Sequence, residues 1–359
     1  MLGIEGFAEL NFLNAVQVVA LGLIGGILSG FIGSGGAFFM TPGMMNLGVP
    51  GVIAVGSNIT HKFGKALMGS KKHGEMGHVD KKLGLFMLIT ALVGIRLAVW
   101  LNATMFHLQK GSHGEGSGSA AGDLYISCIF ILFLSVVSVS ILRDVSRTEE
   151  KGEGPSTKLA GFFSKIKIPP IITFKTADVR ISFWTVAIIG LFTGYMAGTI
   201  GVGGFVGVPA MIYIFGVPTA VAAGTELYLA MFMGAWGAIN YAWGGFVDLR
   251  LTLLLYLGSL NGIYIGAYGT KVVKEKLIRL VTGIIILLCV ISRTVNVPVY
   301  LDRLDFINLP GATDEVLNLC SKALLFASGI SGVGVIITSV AGAYKRRRKV
   351  QQLLRQINA

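Results

Sequence analysis

Residues 25–58 read GGILSGFIGSGGAFFMTPGMMNLGVPGVIAVGSN, and residues 190–226 read GLFTGYMAGTIGVGGFVGVPAMIYIFGVPTAVAAGTE. At an offset of 168, Gly22, Gly26, Gly30, Gly33, Gly35 and Gly36 fall on Gly190, Gly194, Gly198, Gly201, Gly203 and Gly204 without a gap. Gly48-Val49-Pro50 falls on Gly216-Val217-Pro218, Ala54 on Ala222 and Gly56 on Gly224. Later, Gly69, Gly77, Val79-Asp80 and Gly94 meet Gly237, Gly245, Val247-Asp248 and Gly262. Such self-similarity marks an internal duplication. Both copies are apolar and interrupted by Gly and Pro at matching places, which in a membrane protein points to a transport site.

Composition places the chain in a membrane. Hydrophobic residues make up 53% and charged residues 13%, with a mean hydropathy of +0.73. Repeated apolar runs of about twenty residues match a bilayer core of about 30 Å. The N-terminal MLGIEGFAEL lacks Lys and Arg, so the first apolar run is expected to belong to the mature protein and not to a signal peptide. The net charge of +12 does not point to nucleic acid, because the basic residues lie mainly between apolar runs. Cys128, Cys289 and Cys320 have no metal-ligand spacing and read as small buried hydrophobes.

Eleven apolar segments are expected, at 12–32, 36–48, 51–70, 83–101, 124–143, 181–201, 204–216, 219–240, 250–270, 278–297 and 320–343. Segments 36–48 and 204–216 are too short to span and read as broken or re-entrant helices. The organisation expected is a first transmembrane repeat (1–143), a cytoplasmic linker (144–180), a second repeat (181–297), an external loop (298–319), an extra helix (320–343) and a basic cytoplasmic tail (344–359). The linker and the tail Lys345-Arg346-Arg347-Arg348-Lys349 are basic, and the loop after 278–297 is acidic. Loop 71–82 carries four lysines, whereas its repeat partner carries one arginine. Each half holds five segments, an odd number, so the second copy enters the membrane inverted. The N-terminus is then external and the C-terminus cytoplasmic. The fold class expected is all-α, polytopic, with an inverted-topology repeat. The stretch GSHGEGSGSAAG (111–122) reads as a flexible external loop, and IPPIITFK in the linker carries no chemistry.

The glycines fall into two groups. Gly22, Gly26 and Gly30, Gly190, Gly194 and Gly198, and Gly258, Gly262 and Gly266 recur every four residues and read as faces for close helix packing. Gly33-Ser34-Gly35-Gly36 and Gly201-Val202-Gly203-Gly204 instead end one segment and begin a short one. Such breaks expose backbone N–H groups at the positive end of the following half-helix. Two of them facing each other would make a nest for a small anion. They do not fit the nucleotide-binding G-x-G-x-x-G pattern.

Polar residues at membrane depth are functional candidates. Segment 51–70 contains Ser57, Asn58, His61, Lys62 and Lys65. Lys65 lies roughly 9 Å from the loop lysines and is expected to snorkel toward them. His61 and Lys62 are a turn deeper, as ligands, a gate or a structural pair. Glu226 stands where the first copy has Asn58, roughly 12 Å into its helix. It would either carry a coupling proton or pair with His61 or Lys62. Arg96, Asn240 and Asn261 are weaker candidates. Asp80 and Asp248 read as N-caps. The chain shows no enzyme constellation, no metal spacing and no cofactor motif.

With the glycine breaks, the Gly-Val-Pro that follows each and the Ala-x-Gly-Ser/Thr in the next helix, the chain resembles the TauE/SafE family of sulfite exporters. The elements are Gly33, Gly35, Gly36, Pro42, Ala54, Gly56 and Ser57, then Gly201, Gly203, Gly204, Pro209, Ala222, Gly224 and Thr225, across roughly 15–100 and 183–297. The resemblance implies a bacterial inner-membrane carrier for a small sulfur-containing anion. Departures are Pro42, one position later than Pro209, a long linker and external loop, and the basic His61-Lys62 pair.

The expected function is a secondary transporter of sulfite or a related sulfonate working by alternating access. Substrate would meet Gly33, Ser34, Gly35, Gly36, Ser57, Asn58, His61, Lys62, Gly201, Gly203, Gly204 and Thr225, with Glu226 coupling protons. Ser34, Ser57, Asn58 and Thr225 would donate hydrogen bonds, and His61 or Lys62 would add positive charge. The partners expected are the anion and membrane lipid, with the basic tail near anionic headgroups, and an oligomer is open. A passive anion channel and a non-transporting docking subunit fit the same sequence.

Overall fold

The computed structural model describes residues 11–32, 36–107, 120–151, 168–273 and 275–357. Helices α1 (Phe12–Ile32), α2 (Ala37–Asn46), α3 (Gly51–Glu75), α4 (Lys81–His107) and α5 (Ala120–Lys151) form the first half. A hairpin of β1 (Ile171–Phe174) and β2 (Val179–Ser182) leads into the second. There follow α6 (Phe183–Ile200), α7 (Gly204–Pro209) with a π turn over Ala210–Ile214, α8 (Thr219–Trp243), α9 (Leu249–Val272) and α10 (Glu275–Asp302). Helix α11 (Thr313–Ile357) closes the described chain.

Among the described residues these are eleven helices, seven of them long and apolar enough to cross a membrane. The chain is a polytopic membrane protein. Beside the helices, pairing of Ile171 to Phe174 with Val179 to Ser182 builds a two-stranded hairpin that runs from the linker into the second half. Several helices also outrun their apolar segments. Helix α3 continues to Glu75, α5 to Lys151, and α11 carries the basic run as far as Ile357. Helical backbone satisfies its own hydrogen bonds, so it need not stop where the apolar run stops.

The elements repeat with the sequence. Helix α3 shifted by 168 coincides with α8 at both ends, and α4 starts where α9 starts. The Gly-Val-Pro turns share a backbone conformation, with φ of +85° at Gly48 and +76° at Gly216, a region other residues rarely adopt.

The halves interlock. The first helix of each packs along the fourth of the other, α1 on α9 and α6 on α4, while α3 packs on α8 and α5 on α10. The glycine faces make this possible. A Cβ on Gly22 would lie 2.6 Å from the backbone oxygen of Leu255, and one on Gly26 would lie 2.5 Å from that of Ser259. Gly258, Gly262 and Gly266 press back on α1, and Gly190 and Gly194 meet backbone atoms of Met87 and Ala91 in the same way. These glycines serve backbone-to-backbone contact, as their four-residue spacing predicts.

Asp80 and Asp248 are N-caps. Asp80 Oδ1 accepts the Leu83 N–H at 2.9 Å, and Asp248 Oδ1 accepts the Arg250 N–H at 2.8 Å. Asp80 has a second role. Its Oδ2 accepts the N–H groups of Thr176 and Ala177 at 3.0 and 2.9 Å, which pins the hairpin turn to the start of α4. The hairpin is therefore docked on the bundle, with Phe174 fully buried.

One intramembrane charge escaped the sequence reading. Arg293 of α10 is buried and donates to Asn46 Oδ1 at 2.6 Å, to Ser127 Oγ at 3.2 Å and to the Tyr300 hydroxyl. Asn46 ends α2, so the guanidinium sits at the negative end of that short helix. Of the cysteines, Cys289 is buried as expected, whereas Cys128 and Cys320 are exposed on helices that face outward.

Candidate functional site

A cavity of about 180 Å³ lies where α2, α3, α7 and α8 meet, far more than the ~10–15 Å³ that houses one water. Three pairs of its lining residues are related by the 168 offset: Gly36 with Gly204, Asn58 with Glu226, and Lys62 with Ala230. The cavity is thus centred on the relation between the halves, and its chemistry breaks that relation. One side presents an amide and an amine, the other a carboxylate and a methyl group.

From this centre the cavity follows α3 through His61, Lys65, Ala66 and Gly69, flanked by Ser29, Gly30 and Ile263. Lys65 does not extend to the loop lysines as expected. Its Nζ donates to Ser29 Oγ at 3.2 Å, within the cavity wall. His61 is held between helices, with Nε2 2.6 Å from Ser259 Oγ and its ring 4.6 Å from that of Tyr256. Lys62 and Glu226 both line the cavity, one from each half.

Glu226 is 4% exposed, and neither carboxylate oxygen has a hydrogen-bond partner among the described residues. Burying an ionised carboxylate in this way is costly. The residue that makes room for it is Gly207 of α7, where a Cβ would collide with Oε2. Gly207 was not singled out from the sequence. The aligned position is Phe39, so comparison of the halves alone gives no signal for it.

Asn58 is 1% exposed. Its Nδ2 donates to Thr41 Oγ1 at 2.7 Å and to the Ala37 carbonyl at 3.3 Å, while Oδ1 has no partner among the described residues. Thr41 Oγ1 in turn donates to the Ile200 carbonyl at 3.3 Å. This ties the first short helix to the break of the other half, where Gly201 holds φ +79° as the C-cap of α6.

The structure brings Gly36, Asn58, His61, Lys62, Gly204 and Glu226 to the cavity. Gly201 and Gly203 do not line it. Gly33, Ser34 and Gly35 lie outside the described residues. Ser57 and Thr225 point elsewhere. Ser57 Oγ accepts the Asp248 N–H at 3.1 Å, and Thr225 Oγ1 accepts the Asp80 N–H at 3.0 Å. Of the weaker candidates, Arg96 Nη1 donates to Asn240 Oδ1 at 2.9 Å, and Asn261 donates to Leu257 of its own helix. Neither reaches the cavity.

The family model of the sulfite exporter TauE/SafE matches residues 18–293. Among curated relatives, the probable membrane transporter protein YdhB of Bacillus subtilis (strain 168) is 25% identical over 262 residues, covering 71% of this chain and 89% of that protein. The probable membrane transporter protein YjnA of the same organism is 25% identical over 275 residues, covering 76% and 97%. A probable membrane transporter protein of Xylella fastidiosa (strain 9a5c) is 27% identical over 286 residues, covering 76% and 91%. No solved structure matches the chain significantly. A match across most of the chain, on a polytopic fold with a cavity where its halves meet, makes this a membrane transporter that belongs to the sulfite exporter TauE/SafE family.

Proposed function

We propose that the protein is a secondary transporter that moves sulfite or a related small sulfonate by alternating access, coupled to protons through Glu226. The observation that carries this reading is the cavity itself. It sets Lys62, His61 and Asn58 against one carboxylate that has no hydrogen-bond partner among the described residues. An anion entering beside Lys62 gains a charge-assisted hydrogen bond. A proton on Glu226 removes the repulsion that the carboxylate would exert on that anion. Bound anion and bound proton therefore favour each other.

The two flanks of the site support alternation. The cavity extends along Ser29, Gly30, His61, Lys65 and Ile263. Their counterparts at the 168 offset are Ala197, Gly198, Leu229, Met233 and Ile95, all buried. That flank is closed by a polar seal. Asn102 donates to the Tyr241 hydroxyl at 2.6 Å and to the Thr199 carbonyl at 3.2 Å, and Tyr241 donates to the Gly198 carbonyl at 2.7 Å. One side is open and its counterpart shut, the asymmetry expected of one state of a two-state carrier. With loop 71–82 cytoplasmic, the second half is inverted relative to the first and the open flank faces the cytoplasm. The membrane is the bacterial inner membrane, with the C-terminus inside.

The test is uptake of radiolabelled sulfite into proteoliposomes under an imposed pH gradient. Wild type is expected to respond to the gradient, and Glu226→Gln to transport without responding. A gradient response retained by Glu226→Gln removes the carboxylate from coupling.

A further inference from the structure

We propose that the outward-facing groove between α4 and α8 is a binding site for one anionic phospholipid, whose headgroup phosphate is held by Arg96.

The exterior of α4 carries a stripe of exposed large apolar side chains, Leu85, Ile89, Val93, Leu97 and Trp100. Helix α8 carries another, Phe232, Trp236, Ile239 and Trp243. On a polytopic membrane protein such stripes face acyl chains. Where they converge, Leu92, Val93, Arg96, Leu97, Trp100 and Trp236 line an open groove of about 490 Å³. Five of the six are apolar or aromatic, and the sixth is a cation.

Arg96 is exposed and belongs to the lipid-facing surface. It is fixed, not free to sweep through solvent, because Nη1 donates to Asn240 Oδ1 at 2.9 Å. Asn240 is oriented in turn by its own bond to the Trp236 carbonyl at 2.8 Å. Among the described residues no carboxylate meets the guanidinium, and its Nε and Nη2 donors have no partner. Two adjacent N–H donors held in one plane match two oxygens of a phosphate.

The depth fits a headgroup. Asn240 is three residues from the end of α8 at Trp243, roughly 4.5 Å along the axis. The guanidinium is therefore held near the end of α8, with Trp100 lining the same groove, and aromatic residues of this kind gather at the membrane interface. Trp236 is spent locally, its indole N–H donating to the Leu92 carbonyl at 3.2 Å. That bond closes the floor of the groove and leaves the ring as an apolar wall for an acyl chain. The unmatched positive charge selects an anionic lipid over a zwitterionic one.

The experiment is native mass spectrometry of the purified full-length protein with added phosphatidylglycerol or phosphatidylcholine. It compares wild type, Arg96→Gln, Arg96→Lys and, as a control, Arg250→Gln, whose guanidinium is already paired to Asp248 at 2.9 Å. Wild type and Arg250→Gln are expected to retain one phosphatidylglycerol at collision energies that strip phosphatidylcholine. Arg96→Gln is expected to lose at least tenfold of that retained population, and Arg96→Lys, a point charge without the fork, to hold an intermediate amount. Should Arg96→Gln fold poorly, Arg96→Lys carries the comparison. Equal retention by Arg96→Gln and wild type overturns the proposal. So does stabilisation by inorganic phosphate equal to that by the lipid, or disulfide cross-linking of Val93→Cys between two copies in lipid-replete membranes, which would assign the groove to a second copy of the chain.

Discussion

The Asp248 N–H donates to Ser57 Oγ just as the Asp80 N–H donates to Thr225 Oγ1, each half using one hydroxyl to hold the start of the other half's fourth helix. The flanking glycines match. Gly56 lies under the Phe246 carbonyl and Gly224 under the His78 carbonyl, with no room for a Cβ at either. The Ala-x-Gly-Ser/Thr motif is thus a clasp between the halves. Replacing Ser57 or Thr225 by Ala leaves a buried N–H unpaired, at a cost of about 1–3 kcal/mol. Ser57→Ala and Thr225→Ala are expected to lower the thermal midpoint of the purified protein by similar amounts. Thr225→Ser, which keeps the hydroxyl, is expected to lower it less.

Gly207 makes the space that the Glu226 carboxylate occupies. Gly207→Ala is expected to displace the carboxylate and, like Glu226→Gln, to leave transport that no longer responds to the pH gradient, while the protein still reaches the membrane in normal amount. Gly334→Ala, in α11 with nothing within 4 Å, serves as the control and is expected to transport normally. A wild-type gradient response in Gly207→Ala would mean that the carboxylate does not need the space that Gly207 leaves.

Close approach of α1 to α9 rests on Gly26 and Gly262, which meet backbone atoms of the opposite helix. Either one changed to Ala forces the helices apart, since backbone cannot move aside as a side chain can. Each single change is expected to lower the thermal midpoint strongly, and the double change to cost less than the sum because both act on one interface. Additive losses would show that the two glycines do not share a contact.

Tyr241 holds the sealed flank through Asn102 and the Gly198 carbonyl. In a background without Cys128, Cys289 and Cys320, a cysteine at Ala197 reports access to that flank. Tyr241→Phe is expected to speed its labelling by a membrane-impermeant thiol reagent several-fold. Unchanged labelling would mean that packing, not these hydrogen bonds, closes the flank.

The fold was legible because duplication and periodicity leave dense marks. The glycine spacing at Gly22, Gly26 and Gly30 predicts helix contact, and Asp80 and Asp248 predict helix starts, since each depends on local rules. Partnership across the bundle left no such mark. Nothing near Ser57 in sequence says that its hydroxyl serves Asp248, or that Asp80 holds the linker hairpin at Thr176 and Ala177. The cavity was half legible. Asn58, His61, Lys62 and Glu226 stand out as polar residues in apolar helices. Lys65 was harder to place, because a lysine near a helix end snorkels as readily as it lines a cavity, and Ser29 on another helix decides which. Gly207 was invisible because its role is to be absent where a carboxylate stands.

On the proposed function, the cavity at Lys62 and Glu226 is expected to carry a sulfur oxyanion through a closed cycle. The most direct measurement is counterflow of radiolabelled sulfite in proteoliposomes, with wild type compared with Lys62→Gln. Wild type is expected to show uptake stimulated by sulfite preloaded inside and competed by sulfonates but not by chloride, and Lys62→Gln to lose most of that stimulation. Flux without trans-stimulation in folded wild-type protein would make the protein a channel, and full counterflow in Lys62→Gln would remove the lysine from the site.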